Sequence, residues 1–256
     1  MPTSPTESAS PRWRALFDEA ERFVLAAFAL DPENPRVLGI KASVDYKRGN
    51  REEAVKVARE VIEKIPENIT TRLVLVADRV DAGDNEGALK LLDEGLVYKE
   101  SDLSLNVVRL GVLEQLERTE DIGPQLERLV EHYPRTDQFR EALARWYVFK
   151  NQYDNAEAQY RAIADNNPRD YQRALDVARF VRGEADNHFV RIVLRTGQPG
   201  QAPESKVITD YDINDYKEKT ELTSKKLFTL MHAGLRSYRD IIALANNKRG
   251  LEEIIE

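Results

Sequence analysis

Apolar residues recur along most of the chain at the three- and four-residue spacing of amphipathic helices, in short blocks with clear breaks between them. One block covers residues 37–47 and ends at Gly49. The next block runs to about Ile65, where Pro66 stops the helix because proline lacks a backbone N–H. The pattern predicts pairs of short helices that are joined by tight turns.

The helix pairs repeat at a constant step of 34 residues, which is the interval from Ala54 to Ala88. Three kinds of position keep this step: prolines after the helix pairs, alanines in the second helices and glycines at the turns between the helices. Glu117 and Asn151 stand at the next two glycine places, Ile122 stands at the missing alanine place, and Glu100 stands at the missing proline place. Since three classes of position agree on one period, we predict a repeat protein whose units bury their apolar faces against their neighbours. The members are Pro32, Pro66, Pro134 and Pro168; Ala20, Ala54, Ala88 and Ala156; and Gly49 and Gly83.

A helix pair of this length, with glycine at the turn, a small residue at the crossing and proline at the end, resembles the tetratricopeptide repeat (TPR). Arg140 departs from that family, in which a tryptophan is usual at this place. The unit that begins at 103 is degenerate, and we expect Asp121 to cap a helix that has Pro124 in its first turn. The best match is the unit 137–170, with Leu143, Ala144, Tyr147, Tyr153, Ala156, Tyr160 and Pro168.

The resemblance covers about four full units, a leading half unit and a trailing first helix at 171–182. It implies an all-α fold, a right-handed TPR-like solenoid, followed by a C-terminal amphipathic helix that the family does not explain. The run Phe189–Leu194 is too short to classify, so a strand stays open beside the helix that we favour. The predicted segments are a disordered leader at 1–11, the solenoid at 12–183, a last helix and Gly/Pro/Gln linker at 184–206, and a helical tail at 207–256.

In the family that the chain resembles, the first helix of each unit lines a concave groove. The Lys, Asn and Arg pattern with which some family members clamp chaperone tails is absent, because Gly39 and Ser43 stand at two of its places. The fairly apolar groove therefore predicts a protein or peptide partner, and the alternative is that these residues pack between units. The implied groove residues are Tyr46, Lys47, Leu73, Ala77, Val80, Val107, Glu141, Arg145, Val148 and Phe149.

The tail is predicted to form an amphipathic helix over 222–246, capped by Thr223 or Ser224. A helix this apolar needs a cover, and three are open: the chain's own groove, the outer surface of the last repeat, or another subunit. An alternative function is therefore a homo-oligomeric scaffold whose tail helix fills its own or a neighbour's groove. The contact face consists of Leu227, Met231, Leu235, Tyr238 and Ile242.

The amino-acid composition excludes several kinds of functional site. The absence of cysteine excludes disulfides, thiol catalysis and cysteine-based zinc sites, and a net charge of −7 argues against nucleic-acid binding. The apolar run 23–30 is too short to span a bilayer, and no signal peptide is visible. We therefore expect no membrane insertion and favour a cytoplasmic location, although a periplasmic one stays open if the chain is a fragment.

One acidic stretch matches part of a calcium-loop template. Its oxygen-bearing residues fall at alternating places, but Asp215 stands where the sharp turn needs glycine. A calcium-responsive module is thus an alternative to a solvated turn. We expect an interaction scaffold or adaptor with no catalysis and no cofactor, and no metal site beyond this candidate. The candidate oxygen ligands are Asp210, Asp212, Asn214, Glu218 and Glu221.

Overall fold

The structure is a computed structural model that describes residues 11–196, 204–218 and 220–255. The chain divides into two compact units, Met1–His132 and Tyr133–Glu256. The first unit contains α1 (Pro11–Leu30), α2 (Pro35–Arg48), α3 (Arg51–Lys64), α4 (Ile69–Asp81), α5 (Asn85–Tyr98), α6 (Leu103–Gln115) and α7 (Thr119–His132). The second contains α8 (Asp137–Phe149), α9 (Tyr153–Asn166), α10 (Tyr171–Arg182), β1 (Val193–Thr196), α11 (Glu204–Asp210), β2 (Asp215–Glu218) and α12 (Ser224–Ile255).

The predicted helix pairs are present in both units. In the first unit, α2 packs on α3, α4 on α5, and α6 on α7, and each pair also packs on the next. The alanines at the crossings, Ala54 and Ala88, are completely buried, as is Ala156 where α8 packs on α9 in the second unit. Small residues at these places let two helices approach closely. The predicted helical-repeat fold and its resemblance to the TPR are confirmed.

In every full repeat, the turn between the two helices contains a residue in the left-handed backbone conformation. Gly49 and Gly83 have φ of 94° and 77°, and Glu117 and Asn151 have φ of 54° and 57°. Glycine adopts this conformation without a steric penalty, whereas other residues are strained by their Cβ. The same turn is therefore kept in all four repeats, although only two of them carry the favoured residue.

A polar side chain near the start of α4, α6 and α8 ties the loop before the helix to the helix itself. We call Arg72, Asn106 and Arg140 the clasp residues, and they occupy the same register position in three successive repeats. Each donates to a carbonyl oxygen six residues earlier, on Pro66, Glu100 and Pro134, at 2.7, 2.8 and 2.9 Å respectively. The clasp thus explains how Arg140 replaces the usual tryptophan.

The clasp residues also reach the second helix of their own repeat. Arg72 donates to the Leu91 carbonyl at 3.0 Å, and Arg140 donates to the Gln159 side chain at 2.9 Å. Arg72 is buried, so these bonds compensate for removing its charge from water. Each clasp therefore joins a preceding loop and both helices of one repeat.

The start of α7 differs from the prediction. The helix begins at Thr119, so Asp121 lies in its first turn and does not cap it, and Pro124 lies inside the helix. The Asp121 carboxylate accepts a hydrogen bond from Arg118 at 2.7 Å instead. The prediction failed because a proline in a degenerate unit was assumed to mark the first turn.

The second unit ends in a small parallel sheet. Leu194 of β1 pairs with Tyr216 of β2, and both side chains are buried against α10 together with Leu175 and Val207. The helix favoured for Phe189–Leu194 is therefore wrong, since this run is irregular up to residue 192 and then extended. Asn214 accounts for the extended path, because its side-chain oxygen accepts the Ile192 N–H at 2.7 Å.

The other predicted segments are changed at their ends. Pro11, placed in the leader, begins α1, and residues 1–10 lie outside the described part. Of the predicted linker, residues 197–203 also lie outside the described part, while α11 starts at Glu204. The tail helix α12 extends past the predicted end at Asn246, because a single glycine at 250 weakens a helix by only about 1 kcal/mol.

Arg182, at the end of α10, fixes the loops around the sheet. Its guanidinium is buried and donates to the carbonyl oxygens of Asn187, Val190 and Asp212 at 2.5, 2.8 and 2.9 Å. Burial lowers the pKa of Arg182 below its ordinary value, and the nearby Asp212 carboxylate partly opposes this change. The side chain therefore holds both segments that lead into the strands.

Candidate functional site

The first helices of the first unit carry the predicted groove residues in three different settings. Leu73 and Val80 are half-buried and pack against the core beside α5 and α6. This is the packing between successive repeats that the alternative prediction describes. Ala77 is half-buried between them along the helix. Lys47 is exposed, and Val107 keeps 41% of its surface exposed. The exposed apolar part of this set therefore lies on α6.

Tyr46 is held by the neighbouring repeat. Its hydroxyl donates to the Asp81 carboxylate at 2.8 Å, and Arg51 pairs with the same carboxylate at 2.7 Å. The Arg51 guanidinium also lies 5.2 Å from the centre of the Tyr46 ring. Tyr46 therefore contributes mainly to the contact between two repeats, and its hydroxyl is already engaged.

The same contact changes the acidity of Tyr46. Burial of the ring, the hydrogen bond to Asp81 and the negative charge of Asp81 together raise the pKa of Tyr46 to about 12. The Arg51 charge acts in the opposite direction, and Asp78 adds a further increase. The phenol is consequently kept neutral, and it remains a hydrogen-bond donor throughout the physiological pH range.

Small residues occupy one register position of the three first helices. Ser43, Ala77 and Gly111 follow one another at the repeat step. A Cβ added at Gly111 would meet no atom within 4 Å, so the surface of α6 is open there. Gly39 differs, because a Cβ there would lie 3.1 Å from the Thr71 methyl group. The open part of the predicted groove is thus centred on Gly111.

The exposed stripe on α6 extends in both directions from this glycine. Leu103 and Val107 precede Gly111 by eight and four residues, so the three share one helix face. Leu103 is 44% exposed and Val107 is 41% exposed. Glu114 follows on the same side and is exposed. We call Leu103, Val107 and Gly111 the α6 stripe.

The predicted groove residues of the second unit do not form a matching surface. Glu141 accepts a hydrogen bond from Arg173 at 2.9 Å, so its charge is already paired. Val148 is half-buried and Arg145 is exposed. Phe149 is 68% exposed, and the Lys150 ammonium lies 5.8 Å from its ring centre. A large aromatic ring therefore dominates here, in contrast to the small residues of the first unit.

The predicted contact face of the tail helix is uncovered. Leu227, Met231, Leu235 and Tyr238 are 44%, 59%, 56% and 41% exposed, and Ile242 is half-buried. Thr223 caps the helix as predicted, because its hydroxyl accepts the Lys226 N–H at 3.3 Å. Leu244, which the sequence places on the widened apolar face, is also exposed, whereas the sequence analysis missed the exposed Phe228 and Leu251, although seven-residue spacing could have identified Phe228.

The calcium candidates have other roles. Asp212 pairs with Arg182 at 3.1 Å, and Asn214 accepts the Ile192 N–H. The Glu221 carboxylate accepts the Glu218 N–H at 3.3 Å, and Asp210 is exposed at the end of α11. Across the described residues, no group of three or more His, Asp or Glu side chains could hold a metal ion. In the same part of the chain, no helix is both long and apolar enough to cross a membrane.

Comparison with known proteins gives a sequence relative that matches part of the chain. No protein-family model matches the chain. A stretch of 82 residues, 32% of the chain, is 56% identical to 3′3′-cGAMP-specific phosphodiesterase 2 of Vibrio cholerae serotype O1. The chain spans 16% of the length of that relative.

This match corrects the expectation that the chain is not an enzyme. The expectation relied on the absence of familiar catalytic motifs, and a stretch that is 56% identical to part of a phosphodiesterase contradicts it. Motif searches detect residues that act in catalysis directly. They do not detect a stretch that an enzyme shares without carrying such a motif.

Solved structures similar to this chain include three helical proteins. A TPR protein of Thermus thermophilus is 22% identical, with a TM-score of 0.47 over 66% of this chain and 94% of the other. YrrB, a TPR protein with an unusual peptide-binding site, is 16% identical, with a TM-score of 0.48 over 64% and 85%. MamA is 15% identical, with a TM-score of 0.46 over 60% and 84%.

Proposed function

We propose that the chain is a protein-interaction scaffold whose first unit binds an apolar segment of a partner protein along the α6 stripe. The open surface at Gly111, beside the exposed Val107 side chain, is the observation that carries this proposal. Exposed apolar surface in a soluble repeat favours contact with a partner, and an absent Cβ lets a partner backbone approach the helix closely.

The neighbouring helices support a partner that extends beyond α6. The small side chains of Ala77 on α4 and Ser43 on α2 continue the register of Gly111. Both are half-buried and present no bulky group at this position. An extended peptide or a helix with small residues on one side fits such a surface better than a strongly charged ligand does.

The proposal can be tested with a library of displayed random peptides selected on the full chain. We expect apolar sequences to be enriched, and their binding to be lost with Gly111→Trp, which places a large ring on the stripe. Gly111→Ala is the matched control, because a single methyl group meets no protein atom and leaves most of the surface open.

A second variant separates blocking from loss of the apolar contact. Val107→Asp keeps the surface open but places a charge where the partner's apolar side chain would lie, so binding should again be lost. Circular dichroism of each variant checks that the helices are intact. Failure to enrich any peptide, or equal binding by Gly111→Trp, would contradict the proposal.

The shared 82-residue stretch favours a second candidate, a role in the turnover of 3′3′-cGAMP, the substrate for which the relative is named. The test is to incubate the full chain with 3′3′-cGAMP, with and without added Mn²⁺ or Mg²⁺, and to follow the nucleotide by chromatography. Cleavage would support an enzymatic role for the chain. Unchanged nucleotide under all conditions would reject this second candidate and leave the scaffold proposal standing.

A further inference from the structure

The long helix α12 presents an apolar surface without a cover. It has 32 residues, and among the described parts of the chain no other helix or strand packs along it. Near Gly234 it passes the segment before β1, since a Cβ added there would lie 3.9 Å from the Arg191 Cβ. An isolated helix with exposed apolar side chains is only marginally stable in water, so this surface requires a partner.

The apolar positions on α12 follow a seven-residue repeat. Phe228, Leu235 and Ile242 are seven residues apart. Met231, Tyr238 and Ala245 each follow one of them by three residues, which completes the pattern of a two-helix coiled coil. We call these six residues the α12 seam. The seam ends at Ala245, because the next two positions of the pattern are Arg249 and Glu252.

We propose that α12 of one chain pairs with α12 of a second copy, parallel and in register, through the α12 seam. The seven-residue pattern over residues 228–245 favours a partner helix with the same pattern, because the two helices must wind around each other at one pitch. The other α12 meets this requirement, and in register it brings each seam residue against its own counterpart.

The charged flank of the seam favours the parallel orientation. In a parallel pair, Arg239 of one helix faces Gly234 of the other, which has no side chain of its own and lies near the Arg191 Cβ of the same chain. In an antiparallel pair that aligns the two ends of the seam, Arg239 would face His232, a second basic group. Among the residues of α12 itself, Arg239 therefore faces a second basic group only in the antiparallel pair.

The surface is large enough for a specific dimer. Phe228 is 68% exposed and Met231 is 59% exposed, and Leu235, Tyr238 and Leu227 are each exposed by two fifths or more. Together these side chains offer about 500 Å² per chain, so two copies would bury about 1,000 Å², the lower bound for a stable specific interface. This area favours self-association that depends on concentration.

Sedimentation or light scattering of the full chain tests the association. We expect a dimer that dissociates on dilution, and loss of the dimer with Leu235→Asp, which places two carboxylates together in the middle of the seam. Asp240→Ser, on the opposite face of the helix, is the matched control and should leave the dimer intact. A chain that stays monomeric at high concentration, or a Leu235→Asp variant that remains dimeric, would overturn the proposal.

Cysteine cross-linking tests the orientation, since the natural chain contains no cysteine. Phe228→Cys should form a disulfide-linked dimer under mild oxidation, because in the parallel pair the two thiols face each other. In an antiparallel pair they would lie about 25 Å apart at 1.5 Å per residue, and no cross-link would form. Asp240→Cys should remain uncross-linked. A failure of Phe228→Cys to cross-link, with the dimer still present, would reject the parallel register.

Discussion

The side-chain amide of Gln125 donates a hydrogen bond to the side-chain oxygen of Asn106 at 2.9 Å, and both residues are buried. Gln125 also donates to the Asn106 carbonyl at 3.0 Å, so α7 is tied to α6 by two bonds from one amide. With the bond from Asn106 to the Glu100 carbonyl, the middle clasp is a polar network inside an otherwise apolar repeat. Such a network stabilises only when all its members are satisfied.

Asn106→Ala should therefore destabilise the first unit strongly. The change removes the bond to the Glu100 carbonyl and leaves the buried Gln125 amide with one acceptor fewer. We expect a loss of about 3 kcal/mol in the free energy of unfolding, because buried polar groups are left unpaired. Urea unfolding followed by circular dichroism measures it. Ser104→Ala, exposed on the same helix, should change the free energy by less than about 0.5 kcal/mol.

Two glycine-to-alanine changes should have opposite effects. A Cβ at Gly95 would lie 2.5 Å from the Arg72 Cδ and 2.9 Å from a Leu105 methyl group, so Gly95→Ala should cost about 1–3 kcal/mol by overpacking. Gly111→Ala meets no atom and should gain about 0.5–1 kcal/mol, because alanine favours a helix over glycine. Thermal unfolding of the two variants compares them, and a destabilised Gly111→Ala would show that the α6 surface is not open.

Glu117→Gly should stabilise the protein. Glu117 has a φ of 54°, which is unfavourable for a residue with a Cβ, and glycine removes that strain. The gain should be about 0.5–1 kcal/mol, since the greater freedom of glycine in the unfolded chain offsets part of the relief. Glu127→Gly, inside α7, is the matched control and should lower stability. The pair can be compared by urea midpoint.

Tyr46 should titrate abnormally at high pH. Because its pKa is raised to about 12, the folded protein favours the neutral phenol, and this contribution to stability is complete below pH 10. The contribution is lost progressively as the pH rises towards 12. Asp81→Asn should move the pKa part of the way back, since burial remains. NMR with ring-labelled tyrosine measures the shift, and Tyr46→Phe identifies the signal.

Arg182→Lys should loosen the sheet of the second unit. Lysine carries a single ammonium group and cannot reproduce the spread of bonds that the guanidinium makes to three carbonyl oxygens. We expect faster amide exchange in β1 and β2, with little change in α8 and α9. Arg179→Lys, exposed on the same helix, provides the control. Unchanged exchange in both strands would show that Arg182 does not hold them.

The helix pairs were predictable because the same residue types occur at the same positions in successive repeats. A single proline or alanine proves little, but Ala54 and Ala88, at equivalent places in successive repeats, locate two crossings at once. The same register indicated that Glu117 would occupy the turn, although its side chain disfavours the left-handed conformation. Repetition thus compensated for weak local preference in the degenerate unit.

The sheet and the exposed surfaces were harder to predict, because they depend on contacts between distant residues. The path into β1 depends on Asn214, which lies 22 residues after the Ile192 N–H that it accepts. Register alone could place Leu73 and Val107 at equivalent positions, but it could not show that one packs against the core while the other is exposed. Which side of a helix its neighbours cover is decided by packing.

The clasp residues also affect how whole repeats can be added to such a chain or removed from it. Arg140 reaches back to Pro134 and forward to Gln159, so all of these bonds lie within a stretch shorter than one repeat. A duplication or deletion of a whole repeat therefore adds or removes a complete set of donors and acceptors. A tryptophan at this place would supply apolar contact, whereas the polar clasp on α4, α6 and α8 supplies hydrogen bonds whose partners all lie within one repeat length of the chain.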